Sequence, residues 1–196
     1  HLDPAAYRAI FHLPCPIYWM PCFEEVPTRP GEAFRVGEFG TFYRFRQGEI
    51  LADVSPSVQN FFLHMFLHGG LLRDGQGTPF VPRTDWRRFL TSQPDPDLVA
   101  RVAAMDRNMW CTAGFFHAAG LTVTQDGQIV PEPEAAAPVF TFDRVTVSCS
   151  EQGVTQWEYA EETAGQPPRF IFHVGNPSRY PNAMTAAMRS LLRTLP

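Results

Sequence analysis

A helix entry leads almost directly into an apolar run at the head of this chain, and that pairing constrains the fold most. Asp3-Pro4 marks the entry: the Asp3 carboxylate can cap free N–H groups and Pro4 suits the first helical position, so Ala5 to Phe11 reads as helix. Pro14-Cys15-Pro16 breaks it, and Ile17 to Met20 reads as a buried strand. A helix and strand joined this closely bury their apolar faces on one another, which predicts a layered α/β or α+β chain. Opening inside such a unit also predicts that the chain is the back part of a larger domain.

Helices and strands stay mixed along the rest of the sequence. Glu24 to Phe39 is rich in Pro, Gly and charge and reads as a long loop of the kind that walls sites. Thr41 to Arg46 alternates roughly and is left open as strand or irregular segment. Ser55 and Pro56 start a helix that Gly69-Gly70 stops, with Val58, Phe61, Phe62, Met65 and Phe66 on one apolar stripe. Leu71 to Pro94 reads mostly as loop, with a helical turn near Trp86. Asp95-Pro96-Asp97 opens a helix to about Met105, and Met109 to Ala119 reads as another, ended by Gly120. Asp126-Gly127 centres a hairpin over Leu121 to Val130, and the Pro/Ala-rich stretch 131–138 reads as an internal linker within one domain of 1–196. Val139 to Ser150, Val154 to Tyr159 and Phe170 to Val174 read as strands. A closing helix, Pro181 to Leu195, carries the stripe Met184, Ala187, Met188, Leu191, Leu192 and Leu195.

Composition excludes several function classes. No apolar run is long enough to span a membrane, and a formal charge of −4 without a basic block argues against nucleic acid. All 16 basic residues are Arg, which removes Schiff-base, P-loop and kinase-type lysines from this chain. The four cysteines, at 15, 22, 111 and 149, form no C-x-x-C pair. They read as buried free thiols of a cytoplasmic protein, with a Cys15–Cys22 bridge only if the chain is exported.

Few residues advertise chemistry outright. His64 and His68 stand four apart on one helix, but Met65 occupies the place of a zinc-protease glutamate, so dipole-compensating histidines near a helix end are the plainer reading. His1 as part of a copper brace requires a processed terminus, and Glu24, Glu25 and Glu38 read as solvated loop carboxylates. Trp19 and Trp157 read as core residues, and His117 and His173 as satisfied structural histidines. The densest stretch is Asp106-Arg107-Asn108-Met109-Trp110-Cys111-Thr112, expected at the start of an apolar helix, where free N–H groups can face a ligand or simply be capped.

The order of Asp3-Pro4-Ala5-Ala6, the strand Pro16 to Met20, the aromatic helix Ser57 to His68 and the helix expected near Asn108 resembles the C-terminal half of the nucleoside hydrolases, the inosine-uridine N-ribohydrolase family. His1-Leu2-Asp3-Pro4 looks like the tail of that family's ribose-binding stretch, and the last strands and helix are similar as well. The resemblance implies the C-terminal portion of an α/β mixed-sheet domain with helices packed on the sheet. It implies hydrolysis of the N-glycosidic bond of a ribonucleoside or related ribosyl compound, with calcium as cofactor held mostly by residues outside this sequence. Where the family carries a late His-Asp pair, this chain has Arg107-Asn108. The resemblance thus places Arg107 and Asn108 as catalytic residues beside the ribose, Asn108 as a neutral calcium ligand, and Phe62, Phe66 and Trp110 against the base. It further implies a homo-oligomer or association with an N-terminal segment. The alternative is a non-catalytic relative serving as a ligand-binding or assembly subunit.

Overall fold

The computed structural model describes residues 3–21, 36–68, 85–161 and 167–196. These divide into two compact units, His1–Tyr43 with Met109–Gln125 and Ile129–Tyr180, and Arg44–Asn108 with Asp126–Gln128 and Pro181–Pro196. The chain is a mixed α/β protein with a mixed sheet.

The first unit is built on four strands in the order β1(Ile17–Trp19), β8(Arg169–Val174), β6(Phe140–Cys149), β7(Thr155–Tyr159). β1 runs parallel to β8, with Tyr18 opposite Phe170, while β6 is antiparallel to both of its neighbours. Ile171 and Phe172 point to opposite faces of β8 and both are fully buried, as a strand with two covered faces requires. The expected strand at Ile17 is present, but it is not buried throughout. β1 forms an edge among the described strands, and Tyr18 is 44% exposed.

α1(Pro4–Ile10) starts as its sequence dictates, with the Asp3 carboxylate accepting from the Ala6 N–H at 2.9 Å. It packs onto the sheet through Phe11, which meets Tyr7 and Trp19 edge-on at 5.4 and 5.5 Å. The turn from α1 into β1 is held by one side chain. The Arg169 guanidinium donates to the carbonyls of Phe11, Leu13 and Cys15 as well as those of Pro167 and Pro168, at 2.8 to 3.3 Å. A planar fork with five N–H groups suits this carbonyl cage.

α6(Thr112–Ala118) leads into the hairpin β4(Leu121–Val123)–β5(Ile129–Pro131), paired antiparallel with Thr122 opposite Val130. The hairpin expected around Asp126-Gly127 is therefore present. The stretch expected as a linker is structured: Pro131 belongs to β5, Glu132–Glu134 form a 3₁₀ turn, and Pro138 bridges to Thr124. The fully buried Tyr180 donates its hydroxyl to the Thr41 carbonyl at 3.0 Å.

The second unit is mainly helical: α2(Gly48–Leu51), α3(Pro56–His68), α4(Trp86–Thr91), α5(Pro96–Ala103) and most of α7(Tyr180–Arg193). The paired strands β2(Tyr43–Arg46) and β3(Asp106–Met109) complete the set of elements. Ser55 and Asp95 cap α3 and α5 as their positions before Pro predict. Ile50, Leu51, Val58, Leu63, Leu98, Val102, Met184 and Ala187 supply buried apolar surface. The expected stripe of α7 is buried only in its first half; Leu191 and Leu195 are exposed. Asn60, fully buried, ties α3 to the end of α4 by donating from Nδ2 to the carbonyls of Phe89 and Ser92, both at 2.8 Å. Gly69-Gly70, the expected stop of α3, and most of the expected long loop lie outside the described residues. No helix among the described residues is long and apolar enough to cross a membrane.

Candidate functional site

The stretch 106–112 is not the start of one helix. Asp106–Met109 is strand β3 beside β2, and the helix begins only at Thr112. Between them Cys111 takes a left-handed backbone, with φ at 59°, unlike any other non-glycine residue described. That conformation ends the strand and re-aims the chain. The helical apolar spacing hides it from the sequence, because the strand is created by pairing with a distant segment.

On β3, in the second unit, Arg107 and Asn108 are both half-buried. Asn108 Oδ1 accepts from Arg44 Nε at 2.8 Å. Asp106 and Arg46 lie 4.0 Å apart, both well exposed, a pair that contributes little. A calcium ion does not fit Asn108 in this arrangement. One lone pair of its amide oxygen is already bonded by a guanidinium, and that cation would oppose a second one. Among the described residues no three His, Cys, Asp or Glu side chains come together as a metal cradle.

In the first unit the residues after β3 meet those leading into β2. Trp110 is 40% exposed and its ring rests on the fully buried Phe42, with centroids 4.9 Å apart. Cys111 Sγ lies 3.7 Å from Thr41 Oγ1, and the Thr112 hydroxyl is 3.0 Å from the Tyr43 hydroxyl. Burial pushes the Tyr43 phenol up to about 12, against a smaller opposite effect of its bond to Thr112. Tyr43 is therefore a neutral hydroxyl over the physiological range and not a base. What this arrangement offers is a partly exposed indole backed by Phe42, suited to holding a flat ligand, while Thr41 and Tyr43 are fully buried.

The remaining candidates lie apart or out of view. Phe62 is half-buried on α3 and meets Phe61 edge-on at 5.9 Å. The side chains of Phe66 and His68, and His1, Glu24, Glu25 and Cys22, fall outside the described residues. The other three cysteines are free thiols but not the buried ones expected: Cys15 is exposed, and Cys111 and Cys149 are half-buried. His64, half-buried on α3, packs its ring on Trp86 at 4.4 Å. Glu38 is a largely exposed carboxylate, as expected, with its Oε1 3.6 Å from His173 Nε2, while His173 Nδ1 bonds Asp143 at 2.6 Å. Thr41, Phe42, Tyr43 and Arg44 went unnoticed as partners of the 106–112 stretch. The alternation over 41–46 leaves a strand open, and buried Tyr43 and Phe45 between Arg44 and Arg46 form one; what carries no signal is its pairing with 106–109.

No protein-family model, curated protein or solved structure matches this chain.

Proposed function

We propose that this chain is a nucleoside hydrolase-like protein acting on the N-glycosidic bond of a ribonucleoside or related ribosyl compound. The observation that carries the reading is the indole of Trp110, left 40% exposed but backed by buried Phe42, directly after the Arg107-Asn108 stretch that the resemblance marks. A flat apolar face of that kind suits a nucleobase. In the reaction, water adds to the anomeric carbon as its bond to the base nitrogen breaks, through an oxocarbenium-like sugar, and the base leaves with a proton. Arg107 stays charged at neutral pH, so its role is to stabilise charge on the departing base and not to deliver that proton. Asn108, held by Arg44, serves the sugar as a hydrogen-bonding amide. No step is assigned to calcium.

A second reading is favoured by one observation. In the same unit as Trp110 the Tyr43 phenol is fully buried and stays protonated, so it supplies no base to the stretch that follows β3. On that reading the chain is a non-catalytic ligand-binding or assembly relative.

One experiment separates the two. The protein is incubated with inosine, uridine and adenosine, and released ribose and bound nucleoside are measured side by side. Hydrolysis predicts ribose release that Trp110→Ala weakens mainly through KM. Binding without release supports the second reading, and neither binding nor release with any of the three removes both.

A further inference from the structure

We propose that a cavity on the aromatic face of the first unit's sheet binds a small, flat, two-ring heteroaromatic molecule whose edge presents a hydrogen-bond donor beside an acceptor, as a lactam does. The cavity holds about 270 Å³ and is lined chiefly by Tyr18, His117, Thr122, Glu132, Phe142 and Phe170. This is independent of the Trp110 reading and uses none of its residues.

Three features point to a ligand. The first is shape. The Tyr18 ring stacks on Phe170 at 4.7 Å and 12° and meets Phe142 edge-on at 5.3 Å. The His117 ring sits 4.3 Å from both Tyr18 and Phe142. Walls of flat rings select a flat guest. An apolar cavity of about 150 Å³ takes one benzene ring, so this larger volume suits two fused rings but not a drug-sized molecule.

The second feature is an oriented imidazole. The Glu132 carboxylate bonds His117 Nδ1, from the 3₁₀ turn that follows β5. A carboxylate at Nδ1 fixes the tautomer with the proton there and leaves Nε2 as an acceptor in the neutral ring. The third feature is an unmet hydroxyl. Thr122, on β4, is only 3% exposed, yet its Oγ1 has no hydrogen-bond partner among the described residues. A buried hydroxyl without a partner is costly, and native proteins seldom leave one unless something arrives to bond it. Thr122 thus supplies a donor to the guest's carbonyl oxygen, and His117 an acceptor for its ring N–H.

Such an edge could come from a free heterocycle or from the heterocyclic end of a ribosylated compound, and calorimetric titration of the whole chain distinguishes them. Quinazolin-4-one is the free-ring probe, inosine the ribosylated one, and naphthalene the shape control without a polar edge. The expected result is saturable binding of quinazolin-4-one, at least about tenfold weaker in Thr122→Val, with naphthalene weaker still. Thr122→Val is nearly isosteric and removes an unpaired hydroxyl, so its melting temperature should equal or exceed that of the native protein. Inosine binding weakened by the same substitution assigns the cavity to a ribosylated ligand; quinazolin-4-one binding without it assigns the free ring. The proposal is overturned if quinazolin-4-one does not bind at millimolar concentration, as for a cavity filled only by water or by chain, or if Thr122→Val or naphthalene binds equally well. Ribose release that persists in Thr122→Val leaves the hydrolase reading intact whichever way this test falls.

Discussion

Replacing Arg169 probes how the α1–β1 turn is held. Its guanidinium donates to five backbone carbonyls, three from residues 11–15 and two from Pro167 and Pro168. A hydrogen bond to a charged group is worth about 1.5–3 kcal/mol when its partner would otherwise be buried and unpaired. The five acceptors share one half-buried group, and the carbonyls of Leu13 and Cys15 lie at the exposed surface where water can replace it. The loss in Arg169→Ala should therefore be close to that of one or two well-buried bonds, roughly 2–4 kcal/mol. Arg169→Lys keeps the charge but offers a compact ammonium in place of a fork, so it should recover about half of that loss. Urea denaturation followed by far-ultraviolet circular dichroism reads both, with lower midpoints at unchanged slope. A Lys variant as stable as the native chain, or an Ala variant within about 0.5 kcal/mol of it, refutes the reasoning, because the fork geometry would then contribute nothing.

Other consequences follow from single positions. Gly127 has φ at +82°, and a Cβ there would stand 2.6 Å from Ala186 Cβ, so Gly127→Ala should cost more than about 1 kcal/mol in chemical denaturation. Hydrogen bonds from Arg189 and Arg193 hold the Asp53 carboxyl below its ordinary value of 3.8. A depressed carboxylate stabilises fully above the unfolded value and loses that contribution as pH falls through the folded one. Asp53→Asn should therefore narrow the gap to the native protein only below about pH 4, and added salt should shrink the effect throughout. Tyr43→Phe removes the partner of the Thr112 hydroxyl and should cost about 1 kcal/mol, read as a lowered melting temperature. Millimolar calcium should shift the melting of native protein and Asn108→Ala equally, because Arg44 holds the Asn108 oxygen; a shift confined to the native protein would make Asn108 a ligand.

What was legible in the sequence is what local chemistry decides. Asp3, Ser55 and Asp95 announce helix starts because a cap and a following Pro act within three residues, and Asp126-Gly127 announces a hairpin because the turn needs a left-handed residue. Strand β3 was hidden because it exists only by pairing with β2, some sixty positions earlier, and because Cys111 turns left-handed without the glycine or asparagine that usually signals it. His117 reads as a structural histidine; it packs between Tyr18 and Phe142 but is only half-buried and lines the cavity on that face. Its carboxylate partner was out of reach of that reading. Glu132 lies in a stretch that composition alone marks as linker, and only the β4–β5 pairing brings it back over α6.

The hydrolase reading is tested most directly by carrying out the reaction in heavy-oxygen water. The protein is incubated with inosine and uridine, and the products are separated and weighed by mass spectrometry. Hydrolysis at the anomeric carbon predicts free base together with ribose that has gained one heavy oxygen, formed more slowly by Trp110→Ala. Both nucleosides recovered intact after prolonged incubation with folded protein would contradict it.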